Sequence, residues 1–197
     1  MKKIIVVLVL MFVPNMVKAD EFNVRLLVHG HKEIREGFGV AGWVIAPNIT
    51  SAPNKWLVIA GPRYEGQGWN IELLAGAVIV NGVGKALVDT RLELTPKLFN
   101  LPIYTWHNLQ WIASGGKGTL YWYSQLDYVL PKGIGLLGVE IENSYDLEAR
   151  SGDFSVAPHA VLPLGDHFAL IAAPQFHFSE VGKYTGFQMW VRTVVNF

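Results

Sequence analysis

From residue 38 onward, apolar and polar side chains alternate with a period of two, and the alternation is broken at short intervals by Gly, Pro, Asn and Asp. A period of two puts successive side chains on opposite faces of an extended strand, whereas a helix needs apolar positions three and four apart. The segments 38–47, 55–64, 69–80, 85–95, 102–113, 118–130, 134–145, 152–162, 167–179 and 184–197 read as strands. In 167–179, Phe168, Leu170, Ala172, Pro174, Phe176 and Phe178 oppose His167, Ala169, Ile171, Ala173, Gln175, His177 and Ser179. In 85–95, Ala86, Val88, Thr90, Leu92 and Leu94 oppose Leu87, Asp89, Arg91 and Glu93. Turn residues fill the gaps, as in Asn81-Gly82 and Pro163-Leu164-Gly165-Asp166. These connections are too short for parallel crossovers, so the chain predicts antiparallel hairpins.

A further run, Phe22 to Gly30, alternates as well. Bacterial single-chain barrels carry an even number of strands, and counting back from the last strand closes the set without this run. The expected architecture is an all-β, antiparallel up-and-down transmembrane β-barrel of about ten strands, within a range of 8 to 12, over residues 38–197. Residues 20–37 are left as a periplasmic lead-in, a plug or a first strand.

Composition narrows the setting. Charged residues make up only 16% of the chain, against 51% hydrophobic, and a soluble barrel of this strand count needs far more charge on its exterior. Lys plus Arg equal Asp plus Glu at 16 each, which leaves no basic surplus for nucleic acid. There is no cysteine, hence no disulfide and no thiolate chemistry. Lys2 and Lys3, the apolar run Ile4 to Val13, Pro14 and the small residue Ala19 make 1–19 a secretory signal peptide, too short to span a bilayer. The expected location is a bacterial outer membrane, reached through a cleaved signal peptide, with outer-membrane lipid and lipopolysaccharide as partners.

The face opposite the apolar one collects a charge cluster of Asp89, Arg91, Glu93, Asp127, Glu140, Glu142 and Arg192, joined by Arg63, Glu72, Asp153, His159, His167 and His177. Acids outnumber arginines there, which suits a cation-favouring lining. An ion-pair ladder through Asp89, Arg91 and Glu93 that fills a narrow lumen suits the spacing better. Trp43, Trp56, Trp69, Tyr104, Trp106, Trp111, Tyr128, Tyr145 and Tyr184 are candidates for interfacial aromatic girdles. No cofactor or metal site is expected. The loops at 82–85 and 114–119 lack Walker spacing, and His29 and His31 have only Glu33 and Glu36 nearby.

The last strand carries the most specific signal. Phe187, Met189, Val191, Thr193, Val195 and Phe197 share one face, and Gln188, Trp190, Arg192, Val194 and Asn196 the other. In this the chain resembles the outer-membrane β-barrel proteins of Gram-negative bacteria, whose final strand ends in a Phe with apolar residues at alternate positions before it. The resemblance is one of class and implies that the barrel-assembly machinery reads this strand, here through Phe197, Val195 and Trp190. A second likeness concerns chemistry. His177-Phe178-Ser179 looks like the His-x-Ser element of the outer-membrane lipid A deacylases. That family adds a Glu further towards the C-terminus, and no Asp or Glu follows Glu180 here. The expectation is therefore a non-enzymatic barrel with a structural, envelope or weakly channel-forming role. A deacylase-like hydrolase is the first alternative and a soluble periplasmic ligand-binding barrel the second.

Overall fold

The computed structural model describes residues 20–98, 100–113 and 116–197, so the signal-peptide assignment of 1–19 lies outside the described residues. The chain forms β1 (Glu21–Arg35), β2 (Phe38–Ala46), β3 (Lys55–Gly66), β4 (Trp69–Val80), β5 (Val83–Leu94), β6 (Lys97–Leu98), β7 (Leu101–Ile112), β8 (Thr119–Val129), β9 (Leu136–Asp146), β10 (Ser151–Pro163), β11 (Phe168–Ser179) and β12 (Tyr184–Asn196). Strand β6 has two residues and pairs only with the start of β7. The other strands are the staves of a closed 11-strand barrel, each antiparallel to its chain neighbours. For the staves from β2 onward, the alternation placed every boundary within two residues of its position here.

Of the readings open for 20–37, the structure shows a first strand, which lies in the wall and adds to the barrel expected over 38–197. β1 pairs with β2 on one side and with β12 on the other, in parallel register from Glu21 opposite Gln188 to His29 opposite Asn196. An up-and-down chain with an odd number of staves has its first and last strands running the same way, so only a parallel pair closes it. Parallel pairing is slightly weaker per residue yet leaves no open edge between β1 and β12 along this register. The Phe197 amide extends it by donating to the His29 carbonyl at 3.0 Å. The start of β1 and the end of β12 consequently sit at opposite mouths. The N-terminal mouth, where β1 begins, carries the turns at 47–54, 81–82, 147–150 and 180–183; the C-terminal mouth carries those at 36–37, 67–68, 130–135 and 164–167.

Local chemistry explains the irregular points. Asn81 and Gly82 both have positive φ, 50° and 80°, the backbone of a tight hairpin turn whose twist matches its strands. Between β10 and β11 the pairing breaks off after Val156 opposite Phe176 and resumes at Ala160 opposite Ala172. Pro158 and Pro174 fall in that gap, and neither has an amide proton to give the ladder.

The exterior is apolar. Val58, Leu73, Val88, Leu109, Leu126, Val139, Val156 and Phe176 stand exposed around the middle of the wall. Trp56, Trp111, Trp122, Tyr145 and Tyr184 ring the N-terminal mouth, and Tyr64, Trp69, Phe168 and Phe197 the C-terminal one. An apolar band between two aromatic girdles is the exterior of a transmembrane barrel, the reverse of a soluble one. Trp43 and Trp106 leave the expected girdle set, because both turn inward and stack at 6.0 Å. They join strands that are not neighbours in the wall, so this contact spans the lumen.

Candidate functional site

The lumen has two unlike halves: a packed ionic belt reaching from mid-barrel towards the C-terminal mouth, and an open cavity towards the N-terminal one.

The belt is built from side chains that the period-two pattern points inward. On β9, Glu140 accepts a two-pronged bond from the Arg192 guanidinium of β12, with Nη1 2.6 Å from Oε2 and Nη2 on Oε1. A planar fork on a planar carboxylate is the strongest geometry available to such a pair. The Tyr123 hydroxyl and Gln175 Nε2 each reach Glu140 at 2.9 Å. His159 lies between two carboxylates, its ring nitrogens 2.7 Å from Asp127 and 3.1 Å from Glu140, at ion-pair distance without hydrogen-bond alignment. Glu142, one step nearer the cavity, links Arg192 at 3.4 Å to Arg25 at 2.8 Å.

Across the lumen, Glu72 takes Arg63 at 2.8 Å, His29 at 3.2 Å and the Trp43 indole at 2.7 Å. Asp89 binds Arg91 at 2.9 Å and Gln110 at 2.9 Å, with Asn108 on its other oxygen. The Arg91 guanidinium lies 4.0 Å above the Trp43 ring. His29, Trp43, Trp106 and Tyr123 then form a run of ring contacts, ending under Arg192. Asp89 and Asp127 are 0% exposed, Glu72 and Glu140 1%, and Arg91 2%. In a low-dielectric interior such charges persist only when paired, and here each carboxylate has a partner.

Of the sequence-predicted lumen set, Asp89, Arg91, Asp127, Glu140, Glu142 and Arg192 come together in this belt, while Glu93 stands beside it and accepts from Asn70 at 2.9 Å. Arg63, Glu72 and His159 belong to the belt, His177 and Asp153 line the cavity, and His167 sits at the C-terminal rim against Phe197. Arg25 and His29 join the belt from β1, outside the residues 38–197 in which the lumen set was sought. Tyr123, Asn108 and Gln110 carry no charge and were not singled out; the signal that finds them is the inward register they share with Gln125 and Trp106.

The cavity encloses about 610 Å³. Leu27, Ile45, Leu57, Val78, Val80 and Ile112 line one wall, and Tyr121, Ser155, Gln175, Gln188 and Trp190 face them. The uniform polar interior implied by the alternation is therefore corrected: beside the cavity, the stretches Val40–Ala46, Leu57–Gly61 and Leu73–Val80 of β2, β3 and β4 are apolar on both faces. The signal lay in the unbroken runs Val40 to Ala46 and Leu73 to Val80, since a strand buried on both sides loses its alternation. The cations on the cavity are Arg25, Lys55, Lys85, Arg91 and Arg192, against the acids Glu142 and Asp153. Lys55 and Lys85 make no ion pair among the described residues. An acidic lumen, legible as a count along the inner face, is thus not what the open space presents, because Glu72, Asp89, Asp127 and Glu140 are consumed inside the belt.

No family model matches the chain, and no curated protein matches it. Among solved structures it is similar to an anion-selective porin from Comamonas acidovorans, with a TM-score of 0.47 and 10% sequence identity over 84% of this chain and 53% of that one. The chain thus spans about half the length of that porin. The fold assignment rests on the strand pairing described above.

The remaining sequence-marked residues are separated. His177 faces the cavity, where its Nε2 is buried without a hydrogen-bond partner. Ser179 closes the β11–β12 turn, its hydroxyl accepting from the Lys183 amide at 3.3 Å. A register shift between His177 and Phe178 lies between them, and no hydrogen bond joins the two among the described residues. Trp190 faces the lumen beneath Arg25, 4.6 Å from its ring, and so does not share the outer surface of Val195 and Phe197.

Proposed function

We propose that this chain is a non-enzymatic outer-membrane barrel whose lumen is sealed at mid-height, an envelope component that conducts weakly if at all. The fully buried junction of Glu140, Arg192, His159 and Asp127 carries the reading, because ions crossing the barrel would have to part charges already paired to one another. An eight-to-ten-strand barrel is narrow enough for side chains to fill, and one more stave widens it only slightly. A hydrolytic role finds less support, since among the described residues Ser179 has no base within hydrogen-bonding distance and no acid orients His177. We further propose that the barrel-assembly machinery acts on the terminal face of Val195 and Phe197, where Phe197 stands exposed to lipid.

The test is conductance in a planar bilayer. Wild-type protein is expected to stay near baseline, while the paired variant Glu140→Ala with Arg192→Ala opens stepwise currents. Wild-type currents as large as those of a water-filled pore would overturn the seal.

A further inference from the structure

We infer that the cavity above the seal is a binding site for a single-chain anionic amphiphile, an alkyl carboxylate or a similarly headed molecule. A volume of about 610 Å³ lies within the range of small-molecule sites. Its chemistry is two-sided in a way that neither a channel lining nor a packed core requires.

The head-group end is set by register. Lys55 lies opposite Val80 and Lys85 opposite Val78, so the two lysines flank β4 at the N-terminal mouth with the two valines between them. Two inter-strand spacings separate their backbones, roughly 10 Å, a gap that two long side chains close around one anionic group. Arg25 stands near Lys55 as a third cation, but its guanidinium is committed to Glu142 at 2.8 Å and to the Pro47 carbonyl at 3.1 Å. Neither lysine makes an ion pair among the described residues, Lys55 being half-buried and Lys85 exposed at the mouth, and an anion placed between them relieves their mutual repulsion.

The tail end is the apolar wall. Leu27, Ile45, Leu57 and Val78 are packed against one another in the wall, and with the partly buried Val80 and Ile112 over them they make an apolar strip running inward from the lysines. A small hydrophilic anion gains nothing from such a wall, and a neutral alkyl chain gains nothing from the lysines. Only a molecule with both parts uses the whole site, with its chain end lying towards Trp106 above the belt. The seal below makes the cavity blind, which suits retention over passage. The site does not depend on the seal being perfect, so a conductance result leaves it standing.

The experiment uses full-length mature protein in nanodiscs of zwitterionic phospholipid and dodecanoate with a photoreactive diazirine near its chain end. Crosslinks mapped by mass spectrometry are expected on lumen-facing Leu27, Leu57, Val78 or Ile112. Dodecanoate should suppress them, whereas acetate and dodecanol should need at least about tenfold higher concentration. The variant Lys55→Met with Lys85→Met should lose at least about tenfold in crosslink yield, while Lys132→Met at the other mouth keeps it. Crosslinks confined to outward-facing Val58, Leu73 or Val88 would show bilayer partitioning only and overturn the proposal. Acetate competing as well as dodecanoate would reduce the site to a simple anion site, and dodecanol competing equally would remove the role of the lysines; either also overturns it. The competition series uses wild-type protein, so it decides the matter even where the double variant fails to fold.

Discussion

The two halves of the lumen are lined from the same ring of staves, yet they use charge in opposite ways. In the belt, Glu140 and Arg192 are both nearly sealed from solvent and hold each other by two bonds. In the cavity, Lys55 and Lys85 face open space with no ion pair among the described residues. A buried charge whose partner is built in is part of the structure; a cation left without one beside an apolar wall is available to something outside the chain. The sum of charges along the inner face hides this difference, because the belt absorbs most of the acids and leaves the cations in view.

The sharpest way to break the comparison is to ask which compartment each half faces, an all-or-none result. The chain has no cysteine, so single-cysteine variants report cleanly to a membrane-impermeant maleimide. Asp20→Cys is expected to label on the same side as Ser51→Cys at the N-terminal mouth, and Gly165→Cys on the opposite side. Were 20–37 a lead-in outside the wall, Asp20→Cys would label with Gly165→Cys instead. The result also fixes the side from which the cavity is entered.

The next largest effect belongs to the belt. Arg192→Leu leaves Glu140 buried without its two-pronged counter-charge, while Glu142 keeps Arg25 at 2.8 Å, and removing one partner of a buried pair costs about 3–5 kcal/mol. Urea unfolding in detergent should show the loss, together with a lower temperature for the shift between folded and unfolded gel mobility. Replacing both partners, Glu140→Leu with Arg192→Leu, should recover much of it, since two apolar groups of similar size leave no charge stranded. If Arg192→Leu costs no more than a change in the cavity, the belt is not a packed element and the comparison fails.

How much of this was legible follows from which residues alternate. The staves from β2 to β12 announced themselves because each has one face to lipid, and the boundaries fell within two residues because Gly, Pro and Asn punctuate nearly every turn. The belt acids and Arg192 were legible for the same reason. β1 stayed one of three readings because its pattern and the strand count disagree: Phe22 to Gly30 alternates like the other runs, but an eleventh strand makes the number odd. Arg25 and His29, two of the links that tie the walls together, stood outside the lumen set with it. The apolar cavity wall was lost differently. Leu57, Ile59 and Val78 sit between apolar neighbours, so local sequence cannot say which face is lumen and which is lipid. Only closure of the ring assigns them. Trp43 was misplaced among the girdles on the same account, its indole being needed by Glu72 across the strands.

The smallest effect sharpens the comparison most. Lys55→Met keeps the length of the side chain and its apolar stem while removing the charge. In the ligand-free protein Lys55 is half-buried and lies within electrostatic reach of Arg25 and Lys85, so the substitution removes repulsion and breaks no ion pair. Stability should move by no more than about 0.5 kcal/mol, in the stabilising direction. The gain should shrink as salt is raised, because screening shortens the reach of the remaining cations to about 10 Å at 0.1 M. Denaturant titrations of wild type and variant at low and high salt give both numbers. Adding dodecanoate should then reverse the order, since a ligand that binds only the folded state stabilises the protein that holds it more tightly. A loss of more than about 1 kcal/mol without ligand would mean that Lys55 already has a structural partner, and the cavity would then have to be counted with the belt.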